Sequence, residues 1–190
     1  MSDRQPFEVD FPFRGSRGYV HSTSIANHWS QRVPDAERFE LVLKGWMTCR
    51  VRFTPSDTPG DGTGYVKLVR ADDTEFWRMD EDTDHPVQTR EPFDEAAIPA
   101  TVETEARTVD VSPAPGATWF DRLIKGNKAL IETVLAPGVP LIAAKITTQG
   151  FPPDDAPLSL RLKSHAGTRI FKSTIEVDGS PYGEVVFYGD

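Results

Sequence analysis

Hydrophobic positions recur at helical spacing most regularly where Phe120, Leu123, Ile124, Asn127, Leu130, Ile131, Val134 and Leu135 fall at i, i+3, i+4, i+7 and line one face. The spacing predicts a buried central helix over 120–135. Thr118 caps it, Gly138 closes it, and Pro137 and Pro140 keep it from continuing. A shorter helix is predicted over 24–32, with Thr23 or Ser22 as its cap and Ile25, His28 and Trp29 on one face. Period-two alternation is strongest over 39–54, where Phe39, Leu41, Leu43, Met47, Cys49, Val51 and Phe53 alternate with a mostly polar set; a strand so long must bend, and Gly45 is the place. Further strands are predicted over 7–13, 65–70, 75–79, 101–111, 141–149, 158–164, 169–177 and 182–188. Turn chemistry at 71–74, 165–168 and 178–181 closes hairpins between them. The segments 55–64 and 80–95 read as surface excursions, the second strongly acidic.

The chain also matches itself at an offset of about a hundred residues. Leu41-Val42-Leu43-Lys44-Gly45-Trp46-Met47-Thr48 aligns with Leu141-Ile142-Ala143-Ala144-Lys145-Ile146-Thr147-Thr148, and 66–78 aligns with 160–172 in element type and apolar phase. Identity is slight, so the repeat is one of elements. It divides the chain into halves at 1–100 and 101–190, each reading strand, helix, long strand, hairpin, further strand.

A helix followed by a meander of antiparallel strands buries its apolar stripe by having the sheet wrap around it. In this element order the chain resembles the hotdog fold, and the two halves together resemble a double hotdog: an α+β protein with two hotdog-like halves and a long central helix wrapped by a curved antiparallel sheet. The resemblance covers about 7–188 and rests on element order. It implies an acyl thioester of coenzyme A or acyl carrier protein as partner, entering near the starts of the two helices, and pairing of sheets in a homodimer. There His21 lies just before the first helix and Asp121 in the first turn of the second, also one hundred positions apart. A His and an Asp from opposite halves are similar to the dyad of double-hotdog dehydratases, in which imidazole removes the proton alpha to the thioester carbonyl and the carboxylic acid protonates the leaving hydroxyl. The departures are that Ser22-Thr23-Ser24-Ile25 follows the histidine where a spaced Gly and Pro are usual, and that Lys125 stands where a Gln or His is usual. The alternative for His21 is a strand-end residue bonding a neighbouring backbone group. For Asp121 it is a first-turn acid favourable to the helix dipole.

Other residues are candidates by their chemistry. Asn127 places an amide inside the apolar stripe beside Gly126, where it either bonds a strand carbonyl or orients a thioester or a water. Arg14 and Arg17, spaced by Gly15 and Gly18, can hold a phosphate of the substrate or simply pair with the acidic excess. His28 and Trp29 are candidate substrate contacts on the short helix, His28 otherwise being a core histidine. Asp80, Asp82, Asp84 and Glu91 sit at positions 1, 3, 5 and 12 of a calcium-loop spacing, but His85 replaces the required glycine and Pro92 blocks the exiting helix; a solvated acidic segment is the better reading, and no metal or cofactor is expected.

Composition narrows the function classes. Twenty-one basic against 29 acidic residues give a net charge of −8, which argues against a nucleic-acid binder or a membrane-surface protein. One cysteine, Cys49, excludes an internal disulfide framework and a thiolate zinc site. With no apolar signal core at the N-terminus and no uninterrupted apolar span, the chain reads as cytoplasmic. Three functions stay open: an acyl-thioester dehydratase or hydratase, with thioesterase chemistry behind it; a non-catalytic acyl or small-molecule binding protein; and a structural or assembly protein of the same fold.

Overall fold

The computed structural model describes residues 4–71, 73–135 and 138–189. Pro137, Asp72 and the first three residues, on which the expected helix stop, one turn and part of the N-terminal reading rest, lie outside the described residues. The chain divides into two compact units, the first ending at Phe93 and the second beginning at Asp94.

The first unit contains β1 (Phe7–Val9), β2 (Phe13–Arg14), α1 (Ser22–Arg32), β3 (Arg38–Leu43), β4 (Cys49–Ser56), β5 (Gly64–Arg70), β6 (Asp73–Pro86) and β7 (Arg90–Glu91). Its main strands are antiparallel in the order β1-β4-β6-β5-β3. The single strand expected over 39–54 is therefore two strands that are not neighbours. The break is made by hydrogen bonding: the Lys44 N–H donates to the Thr63 carbonyl at 2.8 Å, while the Thr48 and Cys49 N–H groups both donate to the Glu81 carboxylate. Chain that feeds its donors to a loop and a side chain cannot extend a ladder, so β3 ends and β4 starts anew.

The acidic segment expected as a surface excursion is also corrected. β6 continues through Asp80 to Pro86 because its carboxylates meet arginines across the ladder, with Arg50 opposite Asp82 and Arg52 opposite Asp80. Across the two strands Arg52 lies 3.6 Å from Asp82, while within β6 itself Arg78 lies 2.7 Å from Asp80. Opposite charges on facing strands add modestly to pairing. The core of this unit is aromatic. Trp29 of α1 meets Phe53 edge-on at 5.4 Å and Trp77 at the same separation, and Phe7 stacks on Phe53 at 4.9 Å.

The second unit contains a 3-10 turn (Glu95–Ala97), β8 (Ala100–Glu103), β9 (Thr108–Val111), α2 (Trp119–Val134), β10 (Leu141–Thr148), β11 (Leu158–Ala166), β12 (Ile170–Val177) and β13 (Ser180–Gly189). Its order is β10-β13-β12-β11-β9-β8, antiparallel throughout. The strand expected over 101–111 is a hairpin, turning where Arg107 takes a left-handed conformation. The α2 stripe is buried from Phe120 to Ile131 as its periodicity predicts, and the helix packs against β8, β9 and β11. Gly126 permits the approach, since a Cβ there would collide with the Val111 side chain.

The internal repeat holds in part. β3 and β10 each follow a helix and take the same place in their unit's order. By place in the sheet, however, β4 answers β11, β6 answers β12 and β5 answers β13, so the alignment of 66–68 with 160–162 sets together strands in different positions. In the first unit β6 folds back between β4 and β5, whereas β11, β12 and β13 simply follow one another.

Candidate functional site

Polar side chains are buried at the start of each helix. In the first unit the cap of α1 is neither Thr23 nor Ser22 but His21, whose ring Nδ1 accepts the Thr23 N–H at 3.4 Å. An imidazole in extended conformation (φ −81°, ψ 140°) thus does what Ser, Thr, Asp or Asn usually does, satisfying one of the orphan donors of the first turn. The same Nδ1 lies 2.8 Å from the Thr23 hydroxyl, which accepts from Arg14 Nη1 at 2.8 Å. Arg14 reaches this position because β2 and β7 pair in parallel, placing it opposite Glu91. Its Nε is 3.0 Å from the Glu91 carboxylate, and its guanidinium carbon sits 3.9 Å from the centre of the Phe93 ring.

Two of the sequence-predicted residues, Arg14 and His21, are therefore joined through a third that was read only as a cap. Arg17 is half-buried, its guanidinium carbon 5.9 Å from the Phe93 ring centre, and Arg90 clasps its loop by donating to the Gly15 and Arg17 carbonyls. The His21 ring stacks with Tyr19 at 6.3 Å, and Tyr19 meets Trp46 at 4.0 Å. With 44% of its surface exposed, that indole is the largest side chain among the exposed apolar residues.

His28 and Trp29 belong to the aromatic core. His28 stacks on Phe7 at 5.8 Å and on Phe53 at 6.1 Å. Burial, and secondarily the Arg32 charge, hold the His28 imidazole below the ordinary histidine range. Its buried Nε2 has no hydrogen-bond partner among the described residues, which suits a neutral ring.

In the second unit Asp121 completes a capping box. The Thr118 hydroxyl accepts the Asp121 N–H at 3.2 Å, and Asp121 Oδ2 accepts the Thr118 N–H at 3.1 Å. Asp154 adds a further cap by accepting the Trp119 N–H at 2.8 Å. Sequence reasoning missed Arg122, which is fully buried and donates to the carbonyls of Val111 at 3.1 Å, Asp154 at 2.6 Å and Ala156 at 2.7 Å. Desolvation lowers its pKa, with Asp154 and Asp155 opposing. The only sequence signal was a lone arginine between the apolar positions Phe120 and Leu123. Asn127 is fully buried, and among the described residues neither its Oδ1 nor its Nδ2 finds a partner.

No cluster of three or more His, Cys, Asp or Glu side chains among the described residues could hold a metal ion, and no described helix is long and apolar enough to cross a membrane.

No protein-family model matches the sequence, and no curated protein matches it. Solved structures do. The chain superposes on the dehydratase domain of PpsC from Mycobacterium tuberculosis, solved in complex with C12:1-CoA, at 11% identity and a TM-score of 0.55, covering 97% of this chain and 93% of that one. It is also similar to an acyl-ACP thioesterase from Bacteroides thetaiotaomicron, at 9% identity, a TM-score of 0.45 and coverage of 98% and 97%. The fold is the double hotdog, two hotdog units in one chain, as the element order suggested.

Proposed function

We propose that the protein processes acyl thioesters of coenzyme A or acyl carrier protein in a dehydratase- or hydratase-like reaction, with His21 and Asp121, one from each unit, as its catalytic pair. The observation that carries this reading is the placement of a buried imidazole and a buried carboxylate at the starts of the two helices, α1 and α2, on a fold shared with a dehydratase domain solved with an acyl-CoA. Fold likeness alone does not give function. The chemistry of the two groups does the rest: adding or removing water beside a thioester needs one group to take the proton alpha to the carbonyl and another to stabilise the oxygen that gains charge, each worth roughly 10²-fold or more in rate.

In this reading Arg17, half-buried beside Phe93, meets a phosphate of the carrier, with Arg14 behind it. Asn127 supplies a polar contact within the otherwise apolar stripe of α2.

The test supplies 3-hydroxyacyl and 2-enoyl thioesters on coenzyme A and on pantetheine and follows gain or loss of one water by mass spectrometry. His21→Asn, which keeps a capping side chain, and Asp121→Asn, which keeps an acceptor oxygen, should each lower kcat by about 10² or more with the circular dichroism spectrum unchanged. Full activity in both variants would remove the pair. Acyl-CoA binding without turnover would return the non-catalytic reading.

A further inference from the structure

We propose that a cavity in the first unit, beside the end of β6, binds a small primary amine as its ammonium cation, through the Asp84 carboxylate and the His85 imidazole. Neither His21 nor Asp121 lines this cavity, so the site is independent of the proposed catalytic pair.

The cavity originates in an irregular ladder. β4 and β6 pair without interruption from Ser56 opposite Phe76 to Arg50 opposite Asp82, but the next residue of β4, Cys49, stands opposite Pro86. Thr83, Asp84 and His85 are thereby carried out of the pairing, and a bulge of this kind re-aims side chains that a regular strand would alternate between its two faces. The chain beyond is fixed again at once. The Val87 N–H donates to the Thr48 carbonyl at 3.0 Å, and the Thr89 carbonyl accepts the Phe13 N–H at 3.0 Å. Bulge and returning segment together line a cavity of about 420 Å³, within the size range of small-molecule sites. Pro86 and Val87 give it an apolar wall, and Asp84, His85 and Gln88 give it polar groups.

Its chemistry follows from which polar groups are already committed. Arg50, which also lines the cavity, grips Asp10 through two bonds of 2.8 Å and reaches Glu8 at 3.5 Å, so this cation is neutralised. His85 Nδ1 lies 2.8 Å from Asp82 Oδ2. An ionised carboxylate only accepts, so Nδ1 carries the proton and the neutral ring keeps a lone pair on Nε2. The Gln88 amide donates to the Pro86 carbonyl at 3.3 Å and retains its own carbonyl oxygen as an acceptor. The Asp84 carboxylate makes no hydrogen bond or ion pair among the described residues. What remains is a set of acceptors and one uncompensated negative charge beside an apolar wall. An ammonium group, with three donors and no acceptor, matches that set, and Pro86 and Val87 cover its aliphatic body. A metal ion does not fit, because no cluster of three or more His, Cys, Asp or Glu side chains among the described residues could hold one.

The experiment titrates the full ¹⁵N-labelled chain just above neutral pH with cyclohexylamine, and with cyclohexanol and cyclohexanecarboxylate as its neutral and anionic counterparts. The expected result with the amine is saturable amide shifts confined to the bulge and to Val87, Gln88 and Thr89. The alcohol should bind at least about tenfold more weakly and the carboxylate not at all, since only the cation gains a charge-assisted bond. Asp84→Asn should weaken amine binding by about tenfold, and His85→Phe by a smaller factor. Equal binding of alcohol and amine overturns the proposal, as do shifts that rise without saturation or spread along the other acidic residues of β6. Undiminished binding by Asp84→Asn also overturns it. If Asp84→Asn alters the spectrum of the whole first unit before any ligand is added, the comparison of the three probes on the wild-type protein decides. Tighter binding of Nα-acetyl-lysine amide than of cyclohexylamine overturns the small-molecule assignment in favour of a partner's lysine side chain.

Discussion

Replacing Asn127 by Leu should make the protein more stable. The amide sits fully buried on α2 between Ile124 and Leu130, and among the described residues it has no hydrogen-bond partner at either end. An amide taken out of water without compensation costs about 1–3 kcal/mol in proteins. Leucine has the same branching and the same number of side-chain heavy atoms, so the substitution removes that cost without opening a cavity. A gain of about 1–3 kcal/mol follows, and at this chain length each kcal/mol raises Tm by roughly 2–4 °C. Urea unfolding followed by tryptophan fluorescence and far-ultraviolet circular dichroism would measure it, the midpoint rising at constant m. Asn127→Ala should gain less, because the missing atoms leave a void. A loss of more than about 1 kcal/mol in Asn127→Leu at constant m would refute the reasoning, since it would mean that the amide is satisfied in solution. If activity falls as stability rises, the unpaired amide is retained for function rather than for folding.

Two other perturbations read single features. Arg122→Ala should cost about 3 kcal/mol or more, since three backbone carbonyls lose a charged donor, and Arg122→Lys should not restore it, because an ammonium cannot reproduce the fork that reaches Val111, Asp154 and Ala156 together; urea midpoints of the two variants check this. His28, whose folded pKa lies below the ordinary value of 6.5, binds its proton more readily when unfolded, so the stability present above that value should fall as pH drops through it toward the folded pKa; His28→Leu should flatten this dependence in thermal melts taken across the acid range, and an unchanged slope would show that other groups set it.

The parts of the fold legible in the sequence are those decided locally. The stripe of α2, its Thr118 cap and the first-turn acid lie within one stretch of chain, and the hairpin after Val177 was announced by Asp178 and Gly179, both of which take positive φ. The break between β3 and β4 was not legible, because it is made by Glu81, more than thirty residues away, whose carboxylate takes the donors of Thr48 and Cys49. The extension of β6 was written in the sequence as Asp80 and Asp82 set against Arg50 and Arg52, at matching two-residue spacing. An acidic run read alone looks like solvated loop, and only its partner strand reveals the pairing. At the candidate site His21 was visible from its place ahead of a helix. The chain of contacts from Arg14 through Thr23 to His21 was not, since β2 and β7 are two residues each and carry no periodicity that could bring Arg14 to Thr23.

The capping role of His21 itself makes a quantitative claim. Histidine is a poor choice of cap where Asn, Asp, Ser or Thr are preferred, so a chain selected only for stability would place one of those there. In the second unit, by contrast, α2 begins with Thr118 in a full capping box, reinforced by Asp154. If His21 caps α1 through Nδ1, His21→Asn keeps a cap and His21→Ala loses it, while both remove the ring from beside Tyr19. The two variants should therefore differ by about 0.5–2 kcal/mol in urea unfolding, with Asn the more stable. Equal stabilities would mean that the 3.4 Å contact to the Thr23 N–H contributes nothing. The imidazole would then be held at the start of α1 by its contacts with the Thr23 hydroxyl and Tyr19 rather than by capping. A clear preference for Asn, combined with loss of turnover in that same variant, would show a position where folding favours one residue and chemistry requires another.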